Sequence, residues 1–349
     1  MENFHATVLI PTRKRPAMLT NTLQSIRGQS RPDLIKEVVI SENSSDLQSE
    51  AIAEQFSQDL PIRFIRQPVE LNAEEHFVAL TKYSQSAHTA LIGDDDMWDR
   101  YHLEEAQRAF MEHPGIVAYF GQSVSVANET CYPFASIGAS LLQVPSSKDR
   151  SLQDFLIWDK RETAMQCMSH TPLNMWALVS DTNVLQSSME CSFGQAPFRK
   201  AASCDKLFIW ELAKHGTMAV GRHISLFYRR HNETGMENFL AKSVAQVEES
   251  DFDLTMEIAN QALSFGINAP QDWRRTYDVA AKNYGLSGFI RPWNPRLSEF
   301  LMATGNEASQ LEDSKKSYVD SFLYLITPPL VMWTWRKLKT SGNLFLKKG

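Results

Sequence analysis

Three consecutive aspartates, Asp94-Asp95-Asp96, follow directly on the apolar run Ala90-Leu91-Ile92 and a single glycine, Gly93. Adjacent carboxylates repel one another, so a folded chain tolerates three in a row best in water or around a cation. Hard carboxylate oxygens suit Mg²⁺ or Mn²⁺, which typically take one or two protein carboxylates and complete their shell with substrate phosphates. The triplet could also be a solvated turn ahead of a helix that starts near Tyr101, where the macrodipole favours acids. Its company favours the cation. Two other apolar runs also end in polar clusters: Val8-Leu9-Ile10 leads into Pro11-Thr12-Arg13-Lys14-Arg15, and Val38-Val39-Ile40 into Ser41 to Asp46.

The elements that would position these clusters alternate along the first hundred residues. Ala17 to Ile26, Leu47 to Phe56 and Glu74 to Ser84 carry apolar residues at helical spacing, and Ile62 to Ile65 is a further strand-like run. Strands separated by helices imply right-handed crossovers and a largely parallel sheet. Ligands bind such sheets in the crevice beyond the carboxyl ends of the strands, where all three polar clusters would meet. Tyr101 to Met111 then reads as a helix, Ile116 to Phe120 as a strand, and the Ser-, Gly- and Pro-rich stretch Cys131 to Ser151 as a loop that could carry acceptor-binding elements or a lid. Asp205 to Lys214 is helical in pattern, and Ile224 to Tyr228 is a strand running into Arg229-Arg230-His231-Asn232. From about Asn238 the alternation gives way to helical periodicity over Ala241 to Phe265, Trp273 to Tyr284 and Arg296 to Met302.

Composition removes several classes of function. A net charge of -6 argues against general nucleic-acid binding, which needs a basic surface to displace counterions. Cys131, Cys167, Cys191 and Cys204 never fall at C-x-x-C spacing, so a zinc site or redox pair is not expected, and scattered free thiols fit a reducing, cytoplasmic compartment. The start, Met1-Glu2-Asn3, does not read as a signal peptide. The best candidate for a membrane span, Phe322 to Trp335, is broken by Pro328-Pro329 and falls short of the ~20 residues that a bilayer core requires.

Taken in order, these residues resemble family 2 glycosyltransferases of the GT-A fold. Val8 to Pro16 is similar to that family's first strand and nucleotide loop, and Glu37 to Asp46 to its second strand and the acidic turn that touches the base, with Glu42 where an aspartate is usual. Asn72 stands where the family has an asparagine-containing segment, and Leu91 to Trp98 resembles its D-x-D motif and following tryptophan. Ser203-Cys204-Asp205-Lys206 falls where an acidic pair opens the acceptor-side helix, with Cys204 replacing the first acid; Tyr228 to Thr234 resembles the closing Y-R-x-H segment. The resemblance implies an α/β GT-A (nucleotide-diphospho-sugar transferase) fold: a mixed, mostly parallel sheet flanked by helices, with a C-terminal helical appendage. It divides the chain into a glycosyltransferase domain at 1–237, a helical appendage at 238–320 and a basic amphipathic tail at 321–349.

It also implies roles. Asp94, Asp96 and His231 would hold Mg²⁺ or Mn²⁺, and Pro11, Thr12, Arg13, Arg15, Glu42, Asp46, Asn72, Asp94 and Asp95 would bind the nucleotide sugar. Asp205 would be the general base in an inverting transfer from a nucleoside-diphosphate sugar donor to a saccharide or lipid-linked saccharide hydroxyl, of the kind used in surface polysaccharide synthesis. For each of these residues there is a plainer reading: Arg13-Lys14-Arg15 as a solvated turn, His231 as a core or surface histidine, Asp205 as a helix-start acid. Two other functions fit the same motifs, a nucleotidyltransferase and a catalytically inactive sugar-nucleotide-binding scaffold, the latter suggested by Cys204. After Asp320 no acid remains, and Arg336, Lys337, Lys339, Lys347 and Lys348 are interleaved with Trp333, Trp335, Leu338, Leu344, Phe345 and Leu346. That pattern suits peripheral contact with the inner face of the cytoplasmic membrane, or a terminal helix packed on the domain or on a second subunit in a homodimer.

Overall fold

β1 (Ala6–Thr12) is buried along its whole length and carries a parallel neighbour on each edge. With β2 (Ile35–Glu42), β3 (Ile62–Arg66) and β4 (His88–Leu91) it forms a parallel block in the order β3-β2-β1-β4. A strand covered on both faces reads as a continuous apolar run, which is why Val8-Leu9-Ile10 and Val38-Val39-Ile40 are legible in the sequence. The computed structural model describes residues 4–127, 130–133, 155–194, 204–229, 244–284, 292 and 294–304.

Between the strands run α1 (Pro16–Arg27), α2 (Gln48–Phe56) and α3 (Ala73–Thr81). Pro16 opens α1 with a preset φ, and Leu19, Thr22, Leu23 and Ile26 form its buried stripe. Asn72 and Glu75 close a reciprocal capping box at the start of α3. The chain winds outward from β1 to β2 and β3, then returns to the far edge of β1 for β4. Winding reverses between β1 and β4, so the crossovers diverge there and leave a crevice at the carboxyl ends of the two strands.

The second half widens the sheet. In chain order come β5 (Met97–Trp98), α4 (His102–Glu112), β6 (Ile116–Ala127), β7 (Thr130–Pro133), β8 (Phe155–Trp158), α5 (Lys160–Cys167), β9 (Leu178–Asp181) and α6 (Thr182–Met189). A π-helical turn at Glu190–Gly194 follows, then α7 (Cys204–His215) and β10 (Thr217–Arg229). The full order is β3-β2-β1-β4-β9-β6-β10-β5, with β7 added to β6 and β8 to β10. β9 runs antiparallel to both β4 and β6, so the sheet is mixed. The expected loop at Cys131 to Ser151 instead begins as β7, because Cys131 and Tyr132 pair with Val126 and Ser125 of β6; the rest of it lies outside the described residues.

Strand alternation divides the core into two layers. Val8, Ile10, Val38, Ile40, Ala90 and Ile92 face α1, α2 and α4, while Leu9, Val39 and Leu91 face α3, α5, α6 and α7. The C-terminal helices α8 (Val244–Ser264), α9 (Ala269–Tyr284) and α10 (Pro295–Ala303) add Leu254, Ile258, Trp273, Leu297 and Leu301 to the second layer. No helix among the described residues is long and apolar enough to cross a membrane.

At Gly121 of β6 there is no room for a side chain against β10: an added Cβ would lie 1.6 Å from Ser225 Oγ and 2.4 Å from its Cβ. Ser225 Oγ is 3.0 Å from His102 Nδ1, so yielding would break a buried hydrogen bond. Gly121→Ala is therefore expected to lower stability by about 3 kcal/mol in urea denaturation, and Ser225→Gly in the same chain to restore part of the loss. An unchanged midpoint for Gly121→Ala would contradict this close approach of β6 and β10.

Candidate functional site

The crevice between β1 and β4 is built around the turn Gly93 to Asp96. Thr12, at the end of β1, donates its hydroxyl to Asp94 Oδ2 at 2.8 Å, and the Arg13 N–H points to the same oxygen at 3.3 Å. Arg15 reaches Asp94 Oδ1 at 3.3 Å and Asp95 Oδ2 at 2.9 Å through one guanidinium nitrogen. Lys14 turns the chain between these arginines with φ 57, a left-handed conformation uncommon outside glycine. Beneath the turn, the Thr22 hydroxyl of α1 lies 2.7 Å from the Asp96 carbonyl and 2.9 Å from that of Asp94. Gly93 leaves room for the carboxylates, since a Cβ there would meet Asp95 Oδ1 at 2.9 Å and Asp96 Oδ2 at 3.2 Å.

Asp96 is the deepest of the three and fully buried. Its Oδ1 accepts from the Arg229 N–H at the end of β10, 2.9 Å away, while its Oδ2 has no hydrogen-bond partner among the described residues. Burial and the charge of Asp95 raise the Asp96 carboxyl well above its ordinary range, against the pull of the Arg229 N–H. Asp94 is pushed up to about 7 by burial and by Asp95, with Arg15 and Thr12 acting in the opposite sense. Two buried carboxylates that resist ionisation, one with an unpartnered oxygen, are the environment that a cation would relieve. Among the described residues no three His, Cys, Asp or Glu side chains are clustered to hold a metal. His231, expected as the third ligand, lies outside the described residues, as does Arg230.

The end of β2 forms the neighbouring wall, with Glu42 opposite Thr12 in the register and Pro11 opposite Ser41. Glu42 is fully buried; its Oε1 accepts from Ser44 Oγ at 2.6 Å, and Oε2 has no partner among the described residues. Asn43 clamps the approach to α3, exchanging hydrogen bonds of 2.8 and 2.9 Å with the Leu71 backbone. Asp46 accepts from the Gln48 N–H at 3.0 Å, and its carbonyl is held by Arg66 at 2.8 Å. Asn72 is exposed and uses its side-chain oxygen to cap α3, and Arg13 pairs with Glu70 at the surface. His76 lies behind this wall, its Nε2 2.8 Å from Ser41 Oγ, and burial holds it neutral, with its pKa lowered to about 4.

Asp205 stands in the first turn of α7. Its side chain keeps partial access to solvent, yet burial raises its carboxyl to about 6, and the Cys204 Sγ lies 3.9 Å from Oδ1. The Cys204 thiol is pushed far up by burial, then by the charges of Asp205 and of Glu74 in the first turn of α3, so it stays neutral. No hydrogen bond or ion pair among the described residues joins Asp205 to the Asp94–Asp96 turn. Sequence reasoning brought Thr12, Arg15, Asp94 and Asp95 to one cluster but missed Thr22 and Asn43. For Thr22 a signal existed: a hydroxyl on the apolar stripe of α1, three residues after Leu19.

Residues 7–160 match the family model of Glycosyl transferase family 2. The fold is similar to that of S. aureus TarS 1-349 in complex with UDP-GlcNAc, with a TM-score of 0.55 at 15% identity, covering 92% of this chain and 81% of that one. It is also similar to the mannosyltransferase PcManGT from Pyrobaculum calidifontis in complex with GDP-Man and Mn²⁺, with a TM-score of 0.51 at 12% identity over 95% and 83% of the two chains. At these identities the likeness is one of fold. No curated protein matches the sequence.

A buried carboxylate with an unpartnered oxygen is kept at a cost to the fold. Asp96→Asn is expected to stabilise the metal-free protein by roughly 1–2 kcal/mol at neutral pH. The sign follows from the raised carboxyl: acid protonates it in the native chain, so the stability of the parent rises toward that of the variant as pH falls. Thermal melts of both proteins across pH would check this; a variant less stable at neutral pH would show that Asp96 is held by partners rather than strained.

Proposed function

We propose that this chain, whose residues 7–160 belong to glycosyl transferase family 2, moves a sugar from a nucleoside-diphosphate donor to a saccharide or lipid-linked saccharide hydroxyl. The observation that carries the reading is the buried pair Asp94 and Asp96 at the switch point, with Asp96 Oδ2 unpartnered. Asp94 and Asp96 would hold Mg²⁺ or Mn²⁺, with His231 as third ligand two residues beyond the Arg229 anchor. When bound, the ion would neutralise charge on the leaving diphosphate. Arg15 stands beside the carboxylates as a cation for the donor's phosphates, and the exposed Arg13, now paired with Glu70, would supply a second. Glu42 Oε2, buried at the adjoining strand end, suits acceptance of an N–H from the base, and Asp46 and Asn72 would also bind the donor.

Asp205 would take the proton from the acceptor hydroxyl. That oxygen then bonds to the anomeric carbon as the carbon–oxygen bond to the diphosphate breaks, which inverts the configuration. A carboxyl raised to about 6 is a stronger base than an ordinary aspartate and is still ionised at pH 7. The basic tail at 321–349, with Trp333 and Trp335, would hold the enzyme at a membrane surface where a lipid-linked acceptor resides.

A thermal-shift panel of nucleoside diphosphates with and without Mn²⁺ tests the donor site, since only ligands of the folded state stabilise it. Asp96→Ala should abolish the metal-dependent shift while leaving the chain folded. With an accepted donor, release of nucleoside diphosphate marks glycosyl transfer, whereas pyrophosphate would mark a nucleotidyltransferase. Asp205→Asn should keep donor binding and slow transfer by about 10²–10⁴-fold. In the parent, the rate should fall as pH drops through about 6, because the base is then protonated. Full transfer by Asp205→Asn would remove Asp205 from the mechanism.

A further inference from the structure

Lys206, the residue after Asp205, is fully buried, an uncommon fate for a lysine. Its ammonium donates to Asp251 Oδ1 at 2.8 Å and to Thr255 Oγ1 at 3.0 Å, both on α8, and Asp251 is equally buried. Asn294 completes the cluster from the start of α10, donating Nδ2 to Asp251 Oδ2 at 3.1 Å and to the Glu248 carbonyl at 2.7 Å. The Asn294 oxygen caps α10 by accepting from the Leu297 N–H at 3.3 Å. His170 also faces the pair; burial, and then the Lys206 charge, lowers it to about 4, so it adds no second cation. Four elements thus meet at one ion pair: α7, which carries the ammonium, α8, which carries the carboxylate, the cap of α10 on that carboxylate, and the segment after α5.

This arrangement is costly. A cation in the first turn of a helix opposes the macrodipole, and a buried ion pair is often no more stable than apolar residues of similar volume. What such a pair can supply is registry, because it tolerates one geometry only. Successive helix residues diverge by about 100°, so a first turn held inward at Lys206 sets the direction in which Asp205 emerges.

We infer that the Lys206–Asp251 pair is a positioning device for the base, fixing the first turn of α7, and Asp205 with it, to the C-terminal helices. The inference rests on Asp205 being the base. Asp251 and Asn294, far from it in sequence, become positioning residues for transfer. The helices after β10 then belong to the catalytic unit.

The experiment uses the full chain labelled with ¹³C at aspartate carboxyls, with Asp205→Asn to assign the Asp205 signal. Lys206→Met combined with Asp251→Leu removes both charges, so no lone ion is left buried. In this double variant the Asp205 midpoint should fall by about one pH unit as the first turn loosens and hydrates. Donor-induced stabilisation by the effective nucleoside diphosphate with Mn²⁺ should not change, while kcat for transfer falls about tenfold at unaltered donor KM. A folded double variant whose Asp205 titrates as in the parent would overturn the inference. Should the double variant not fold, Thr255→Val removes one acceptor of the ammonium and leaves the ion pair; a smaller fall of the midpoint supports the clamp, and an unchanged midpoint overturns it. The activity stands or falls separately: a clamp-dependent midpoint in a chain that transfers no sugar would refute the base role and uphold the clamp.

Discussion

The architecture turns on a solvation problem. Asp94 and Asp96 are carboxylates taken out of water at the carboxyl end of a parallel strand, beside a third acid. Fixed dipoles offset part of the penalty: the Thr12 hydroxyl, the Arg13 and Arg229 N–H groups and the Arg15 guanidinium all point inward. They offset too little, since both carboxyls remain raised and one oxygen of Asp96 has no described partner. The surrounding elements can be understood as the means of holding that residual deficit in place. β1 brings Thr12, α1 brings Thr22 under the turn, and β10 brings the Arg229 amide from the far side of the sheet.

Those three contributors differ in how far they come along the chain. β1 and α1 are neighbours in sequence, and their crossover makes this half of the crevice a local structure. Arg229 comes from 133 residues beyond Asp96, through a β10 that pairs with both β6 and β5. The side of the sheet that carries Asp205 depends on later chain again: α7 packs between the sheet and the C-terminal helices, to which the Lys206–Asp251 contact ties it. Coupling the two halves is therefore a matter of sheet register. Gly121 illustrates this, for the close passage of β6 against Ser225 sets where β10 ends and hence where the Arg229 amide lies.

Legibility in the sequence follows the same division. The first four strands were readable because each is buried on both faces or ends in polar residues, and the site residues at their ends came with them. Residues 155–194 carried no such signal. β8 and β9 are four residues each, too short to show a period, and β9 enters antiparallel between β4 and β6, which alternation of strands and helices does not foretell. Lys206 gives no signal at all, and the one that Thr22 gives does not say what its hydroxyl meets. A lysine in a helix's first turn passes as an ordinary surface choice, and a hydroxyl on an apolar helix face marks a buried contact without naming its partner, until tertiary packing shows what they meet. Asn72 shows the converse: motif position suggested the donor, while local geometry commits its side-chain oxygen to a helix cap.

Cys204, standing where the resemblance puts an acid, bears on whether the proposed site could work. A carboxylate at 204 would add a like charge beside Asp205, close to Glu74, and would drive the Asp205 carboxyl higher still. A neutral thiol contributes a weak hydrogen bond instead, and that contact lowers the Asp205 carboxyl against burial. The result, about 6, leaves a carboxyl that is ionised at neutral pH and, in the proposed role, basic enough to accept a proton. A second acid in this environment would leave less of the pair ionised, not more. Cys204 is thus compatible with the proposed turnover, and a thiol at this position is by itself no argument for an inactive scaffold.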